Sequence, residues 1–588
     1  MLDPIVYRAA FLPALFALVL AAFSLTDRPR PLQTTLSADA FDQGDHAFTR
    51  LQQLAKAFPD RRPGSAGDNR LATVLARDMR RAGFRVTTRV DSGRTVDGKR
   101  RLTTVIGTRT GQPGKGIVVI AHRDALGRGA VAELSGTAAL DELAHVYEGR
   151  STRRTLTLVS TSGGGAGAVA YARTLRPATT DAVLVLGDLA SAQLRKPWVL
   201  PWSDGPQLAP VRLRRTAEVA VRDETGQDAG GFRTSTQVAR LAFPFAIGDQ
   251  GRFNVRGIPA VMLQATGERG PAAGAAVSAD HLRVFGRAAL RTIGALDNGS
   301  SLDSGPGTAI MMRRKVLPRW SVQLLVGALL FPAALAAIDG LARVRRRRHA
   351  IAVWARWIAM FALPFAVAAV LARLLGATGI VSAPVTPVAG DQVSGATIAL
   401  IVVGLGFLLS WLAVRPLERI GGFGEMIGGG PAAALSVTTI AITTVVWLRN
   451  PYAAAVLLLP AHLWLIGSVL RLPRTAAALL MAVSLLPAAA VLVVYARAVG
   501  LSIGDLPSSL LLLVASGHVG MLSLVTLCAL AGCAVAAASL ALKAPWSDDQ
   551  PANGGSGGGG SIGGPGGVPF LDGPGSIGRA DAGIGHRR

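Results

Sequence analysis

The stretch VVIAHRDALGRGAVAELSGTAALDELA, residues 118–144, decides how this chain is read. Its opening residues are continuously apolar, the pattern of a strand buried on both faces, and its later part carries the spacing of an amphipathic helix. Between them, His122 and Asp124 stand where the strand runs out, a common place for chemistry in α/β folds. An imidazole and a carboxylate two residues apart are metal-ligand types. Ten residues on from His122, where a metal site would want another carboxylate, stand Gly129, Ala130, Val131 and Ala132.

Outward from this stretch, strand and helix patterns alternate from about 47 to 297. Helical periodicity marks FTRLQQLAKAF (48–58) and NRLATVLARDMRRAG (69–83). Strand-like runs follow at FRVTTRV (84–90), RLTTVIGTR (101–109) and GIVVIAH (116–122), then the helix 133–147 and the strand RTLTLVS (154–160). A Gly-rich turn, STSGGGAG, leads to the short helix 168–175, the strand DAVLVLGDL (181–189), the segments FAIGDQGRF (245–253) and IPAVMLQA (258–265), and a closing helix at 280–296. Such alternation predicts a mixed, mostly parallel sheet with helices on both faces.

The rest of the chain is of a different kind. Half of the 588 residues are hydrophobic and the mean hydropathy is +0.40, which points to a membrane protein. Apolar blocks predict spans near 318–339, 351–373, 396–414, 431–448, 451–470, 475–495 and 519–541, an all-α transmembrane bundle. Leu506–Gly517 is too much to add to the last block, since a 36-residue helix reaches about 54 Å against a hydrocarbon core of about 30 Å. It is expected to be an interfacial or re-entrant helix, with a break at Gly517–His518. Residues 7–26 form either an uncleaved anchor or a signal peptide; without a clean A-x-A site before Asp27, the anchor is favoured.

The run RVRRRRH (343–349) is expected to be cytoplasmic. Arg415, Arg419, Arg471 and Arg474 fall on the same side if every block crosses once, so the α/β part lies outside and both termini inside. Part of the +25 charge sets this topology, yet Asp27–Lys315 alone holds 42 basic and 26 acidic residues. That excess favours anionic headgroups or acidic wall polymers as contacts and disfavours nucleic acid. Cys528 and Cys533 both fall in the last apolar block, so the outer part has no disulfide. The Arg-, Ala- and Gly-rich composition with few lysines points to a high-GC bacterial genome. The domain expectation is an anchor at 1–30, an α/β domain at 31–310, a seven-span bundle at 311–545 and a disordered Gly-rich cytoplasmic tail at 546–588.

Six ordered motifs in the α/β part resemble the M28 family of zinc aminopeptidases. They are FPDRRPGSAG (58–67), AHRD (121–124), the GA…SG frame around 129–136, Tyr171–Ala172, VLGDL (185–189) and GDQGRFNVRGIP (248–259). The resemblance implies an M28 zinc-peptidase-like domain in which two zinc ions share a bridging aspartate. It implies that His122 and Asp188 match ligands of one ion, that Asp124 matches the carboxylate orienting the first histidine, and that Asp249 and Phe253 line the substrate cleft. The bridging aspartate falls on Ala132, and the Glu-Glu pair of ligand and general base falls on or near Thr161–Ser162. The late histidine has no counterpart between Val261 and Ala279, with His281 nearby inside the closing helix. An alanine bridges no metals, and a His–Asp pair is too small a set for firm zinc binding. No cofactor is expected beyond one weakly held zinc.

Other features carry plainer expectations. His122 and Asp124 read as an inherited pair bonded to each other or to backbone. Glu133 is the carboxylate nearest the vacant bridging position, and is expected to begin the following helix. DELAH (141–145) resembles a zincin motif and is expected to be a solvated helical face. GTRTGQPGKG (107–116) is expected to be a hairpin connection and STSGGGAG a tight turn.

Two functions follow. One is a degenerate peptidase that binds a peptide, lipid-linked or wall-derived ligand, or a partner protein, coupled to the bundle. The layout of anchor, outer domain and seven spans also resembles the M28-like subunit of the eukaryotic GPI transamidase. The other is a metal-dependent peptidase or amidohydrolase with an altered site around His122, Asp124 and Asp188.

Overall fold

A computed structural model describes residues 8–543 apart from 35, 42–44, 195, 231–232, 273, 303–304, 347–350, 383–392, 394, 421–429 and 471. The chain divides into two units, Met1–Lys543 and Ala544–Arg588. The tail expected from 546 lies outside the described residues, as do Arg471 and the end of the RVRRRRH run. In chain order the strands are β1 (Thr26–Asp27), β2 (Arg85–Thr95), β3 (Gly98–Arg109), β4 (Gln112–His122), β5 (Arg154–Thr161), β6 (Thr180–Leu186), β7 (Trp198–Leu200), β8 (Ala260–Gln264), β9 (Ile310–Met311) and β10 (Lys315–Leu317). The helices of this part are α1 (Leu12–Phe23), α2 (His46–Ala57), α3 (Ala66–Arg81), α4 (Ser135–Val146), α5 (Gly165–Ala172), α6 (Val211–Thr225), α7 (Thr234–Ala242), α8 (Gln250–Asn254) and α9 (Ala279–Asn298).

Local chemistry accounts for the longer helices. In α3 the Ser65 hydroxyl accepts from the Asp68 amide at 3.2 Å, Asp68 sits in the first turn and Arg80 and Arg81 in the last, complementing the dipole at both ends. Leu71, Leu75 and Met79 form its buried stripe. Ser278 caps α9 in the same way through the His281 amide.

Seven strands form one sheet in the order β2-β3-β5-β4-β6-β8-β7. The central four are parallel, with β2, β3 and β7 antiparallel at the edges. Alternate residues of β4 enter two cores: Ile117, Val119 and Ala121 join α2, α3, α4 and α9, while Val118 and Ile120 join α5, Trp202, Leu241 and Phe253. The unbroken apolar run is therefore a strand covered on both faces, and the mixed α/β sheet expected from the sequence is what the chain forms.

Two local expectations need correction. Residues 107–116 do not join a hairpin: β5 lies between β3 and β4, pairing antiparallel with one and parallel with the other. DELAH is not a solvated face, since Asp141 and Glu142 are buried and only His145 is exposed. The reason is a partner 91 residues away, because Arg50 donates from Nε to Asp141 Oδ2 at 2.7 Å and makes burial of that carboxylate tolerable.

Beyond the sheet, seven helices among the described residues are long and apolar enough to cross a membrane: Arg319–Arg346, Ile351–Ala377, Ala396–Pro416, Gly430–Arg449, Pro451–Val469, Arg474–Val499 and Met521–Leu542. Leu506–Ala515 is a separate short helix, and the chain breaks at Gly517 as expected. Of the segment at 7–26, residues 12–23 form a helix. Helix α1 has 12 residues, about 18 Å of rise, and packs Ala14, Ala17 and Ala21 inward while Leu15, Phe16 and Phe23 face out. It runs from Ser24, bonded to Ser321 at the head of the first span, to Phe11, stacked on His462. Residues 1–7 lie outside the described residues.

The sheet and the spans share a core. Tyr452 and Val456, from the span Pro451–Val469, are buried in the second cluster beside Leu200, Trp202 and Leu241. Asn450 caps that span by accepting from the Tyr452 and Ala453 amides, and its Nδ2 donates to the Leu241 carbonyl at 2.7 Å. Arg240 in α7 is 2% exposed, pairs with buried Glu268 and lies 4.4 Å from the Tyr495 ring centroid. Arg240→Ala leaves Glu268 buried without its cation and is expected to lower stability by about 3–5 kcal/mol. Denaturant unfolding of the full-length protein in detergent measures this, with the exposed Arg222→Ala as a control expected to stay within about 0.5 kcal/mol.

Candidate functional site

The sheet sends α4 and α5 to opposite faces after β4 and β5, so the carboxyl ends of these neighbouring strands open a crevice. His122 is the last residue of β4 and is paired in register with Thr161, the last of β5. Asp188 follows β6 by two residues, and Asp249 immediately precedes α8. Asp124, Asp188 and Asp249 are buried and His122 is half-buried.

The residue between His122 and Asp124 organises the crevice. Arg123 is fully buried and pairs through Nε with Asp68 at 2.8 Å, again with both side chains sealed from water. Its guanidinium also donates to the carbonyls of Thr103 and Ser160. Ser162 donates from Oγ to Asp68 Oδ2 at 2.6 Å. Arg61 donates to the carbonyls of Phe58, Arg123 and Ala130, pinning the 58–67 loop over the end of β4. Sequence reasoning did not single out Arg123 or Asp68, although an arginine at the end of an apolar strand is itself a signal of a buried partner.

The expected tight turn after β5 is present. Gly163 and Gly164 have φ of +83° and +52°, and Gly164, with ψ of −129°, occupies a region open only to glycine. This turn aims the Gly164 amide at Asp124 Oδ1, 3.3 Å away. Asp124 thus bonds to backbone, one of the two alternatives read from the sequence.

Asp188 is held by four donors. Its Oδ1 accepts from the Ala190 and Ser191 amides at 3.1 and 2.9 Å and from Ser135 Oγ at 3.4 Å, and Oδ2 accepts from Thr266 Oγ1 at 2.9 Å. Ala132 is buried, and the buried Thr161 hydroxyl has no hydrogen-bond partner among the described residues. His281 turns its Nδ1 to the Ser191 carbonyl at 2.7 Å, anchoring α9 to the loop after Asp188. Phe253, expected in the cleft, is instead a core residue: it is fully buried in the second cluster, where α8 packs on the sheet.

Glu133 lies in the single 3-10 turn Ala132–Leu134 ahead of α4. It does not begin that helix but sits within the electrostatic reach of His122, Asp124, Arg61 and Asp188. Burial pushes its carboxyl up to about 6, with the imidazole of His122 opposing the shift and the Asp124 charge adding to it. Burial likewise raises Asp124 and Asp249, and His122 is the strongest opposing charge on both. The site is one imidazole among four carboxyls, Asp124, Glu133, Asp188 and Asp249.

A zinc centre of the kind the M28 resemblance implies does not fit these residues. Among the described residues no three His, Cys, Asp or Glu side chains gather as metal ligands. The Asp188 oxygens are directed at backbone and hydroxyl donors.

No protein-family model matches the chain, and no curated protein matches it. Among solved structures it is similar to BSAP, a zinc aminopeptidase from Bacillus subtilis, at 12% identity over 45% of this chain and 95% of that one, with a TM-score of 0.34. It is similar to Porphyromonas gingivalis glutaminyl cyclase at 15% identity over 43% and 98%, TM-score 0.33. A third is a leucine aminopeptidase precursor from Bacteroides thetaiotaomicron, at 14% identity over 46% and 100%, TM-score 0.33.

The raised Glu133 value makes a signed prediction. The folded protein holds this proton where the unfolded chain has released it, so the contribution to stability is full below about 4.5 and is lost as pH rises through about 6. Glu133→Gln is expected to match the parent protein at pH 4 and to exceed it by about 2 kcal/mol at pH 7, measured by unfolding at both pH values.

Proposed function

We propose that this is a membrane-embedded protein with an M28-like peptidase domain that has lost hydrolysis and uses its strand-end crevice to bind a ligand or a protein partner. The observation that carries the reading is the state of the three positions a hydrolase needs. Asp188 spends both oxygens on four local donors, Ala132 stands where a bridge belongs, and Ser162 donates to Asp68. A glutamate at position 162 would set an acceptor against that acceptor. The contacts of α7 with Asn450, Tyr452 and Tyr495 join the domain to the bundle, which supports a coupled role for the two. The peptide, lipid-linked or envelope-derived character of the ligand rests on the resemblance. Arg343, Arg345 and Arg346 at the far end of the first span support an outer position for the domain.

Zinc titration by calorimetry on the full-length protein in detergent tests this. The expected result is no stoichiometric heat from zinc, the same as for His122→Ala. Stoichiometric binding that disappears in His122→Ala overturns it.

One observation favours the second reading, a hydrolase with an altered site. A carboxyl near 6 beside an imidazole is suited to general acid–base work at neutral pH. An L-aminoacyl-4-nitroanilide series separates the two: turnover abolished by Glu133→Gln with folding intact establishes the hydrolase, and its absence across the series leaves the binding module.

A further inference from the structure

A basic groove lies away from the crevice, between the β2–β3 hairpin and α3. Its volume is about 730 Å³, and its lining includes Lys99, Arg100 and Arg101 together with Asn69, Thr73 and Thr103, with no Asp or Glu. The walls are fixed. Thr103 Oγ1 donates to Asn69 Oδ1 at 2.9 Å, and the buried Arg123 behind the groove ties the carbonyls of Thr103 and Asp68 together. At one end Gly64 abuts β3 so closely that a Cβ there would stand 2.6 Å from the Arg101 carbonyl.

The charges here are not balanced within the fold. In the hairpin register Arg94 stands directly opposite Lys99, and Gly93 and Ser92 stand opposite Arg100 and Arg101. Like charges across a hairpin destabilise it. Asp91 pairs with Arg89 and Asp97 with Arg62, while among the described residues Arg94, Lys99, Arg100 and Arg101 have no acidic partner. Protection of an exposed edge strand accounts for scattered cations, not for three that line a concave, hydroxyl-lined groove with a fourth, Arg94, across the hairpin from Lys99.

The position separates a membrane surface from a polymer. The shared core with the spans is at the β7 side of the sheet, and β3 is five strand spacings away, about 24 Å. A concave groove at the far edge suits an extended chain. We propose that this groove binds a linear acidic polymer, whose repeating phosphate or carboxylate groups pair with Arg94, Lys99, Arg100 and Arg101.

The test uses full-length protein in uncharged detergent with two fluorescent probes, sodium polyphosphate and poly-L-glutamate, followed by anisotropy across a salt series. The groove variant is K99Q/R100Q/R101Q. The control, R150Q/R173Q/R176Q, removes the same charge from exposed arginines elsewhere. Binding of at least one probe is expected, the preference distinguishing phosphate from carboxylate. The groove variant should weaken it at least about tenfold and flatten the salt slope by about two to three, while the control changes it less than about twofold. If the groove variant fails to unfold cooperatively, R94Q/K99Q is read in its place, with a slope change of about two. The proposal is overturned by no binding of either probe at low salt, by equal losses in variant and control, or by groove-dependent binding to anionic-lipid vesicles without polymer binding.

Discussion

A guanidinium and a carboxylate sealed together from water hold the strand ends in place. Arg123 and Asp68 are both fully buried, a state that is tolerable only because every element nearby contributes a bond. Asp68 receives the Gly64 amide and the Ser162 hydroxyl, and Arg123 reaches carbonyls on β3, α3 and β5. The loop at 58–67, the turn after β5 and the end of β4 are thereby placed together. His122 and Asp124 flank Arg123 and face the other way, so the position of the crevice follows from where this pair sits.

That pair also gives a physical account of the altered positions. A metal site needs carboxylates with free lone pairs at the strand ends. Here Asp188 organises a loop, Ser162 serves a buried acid, and Glu133 carries a raised proton affinity beside His122. These residues hold one another, and the crevice they line carries one imidazole and several carboxyls whose proton affinity burial raises.

Much of this was legible in the sequence, and what was not has a common cause. The continuous apolar run of β4, the Gly-rich turn and the apolar blocks are local signals, and they locate the sheet, the turn and the seven long helices. The burial of Asp141 depends on Arg50, the insertion of β5 between β3 and β4 depends on pairings on both of its edges, and the nearness of Glu133 to His122 depends on a 3-10 turn that periodicity does not register. Phe253 matched a motif position, yet its side chain is set by the packing of α8 on the sheet. Pair chemistry between residues far apart in the chain leaves no trace in spacing.

The two cores of the sheet have different requirements. The first closes among α2, α3, α4 and α9, all within the first 298 residues. The second takes in Tyr452 and Val456, and β1 waits for β10 at Lys315–Leu317. On a ribosome adding about 5–20 residues each second, Tyr452 follows Ile310 by roughly 7–30 s. During that interval one face of the sheet, with Trp202 and Leu241, has emerged without the helix that covers it. The second core is therefore complete only once the segment that carries Tyr452 and Val456 has been synthesised, long after the strands it packs against.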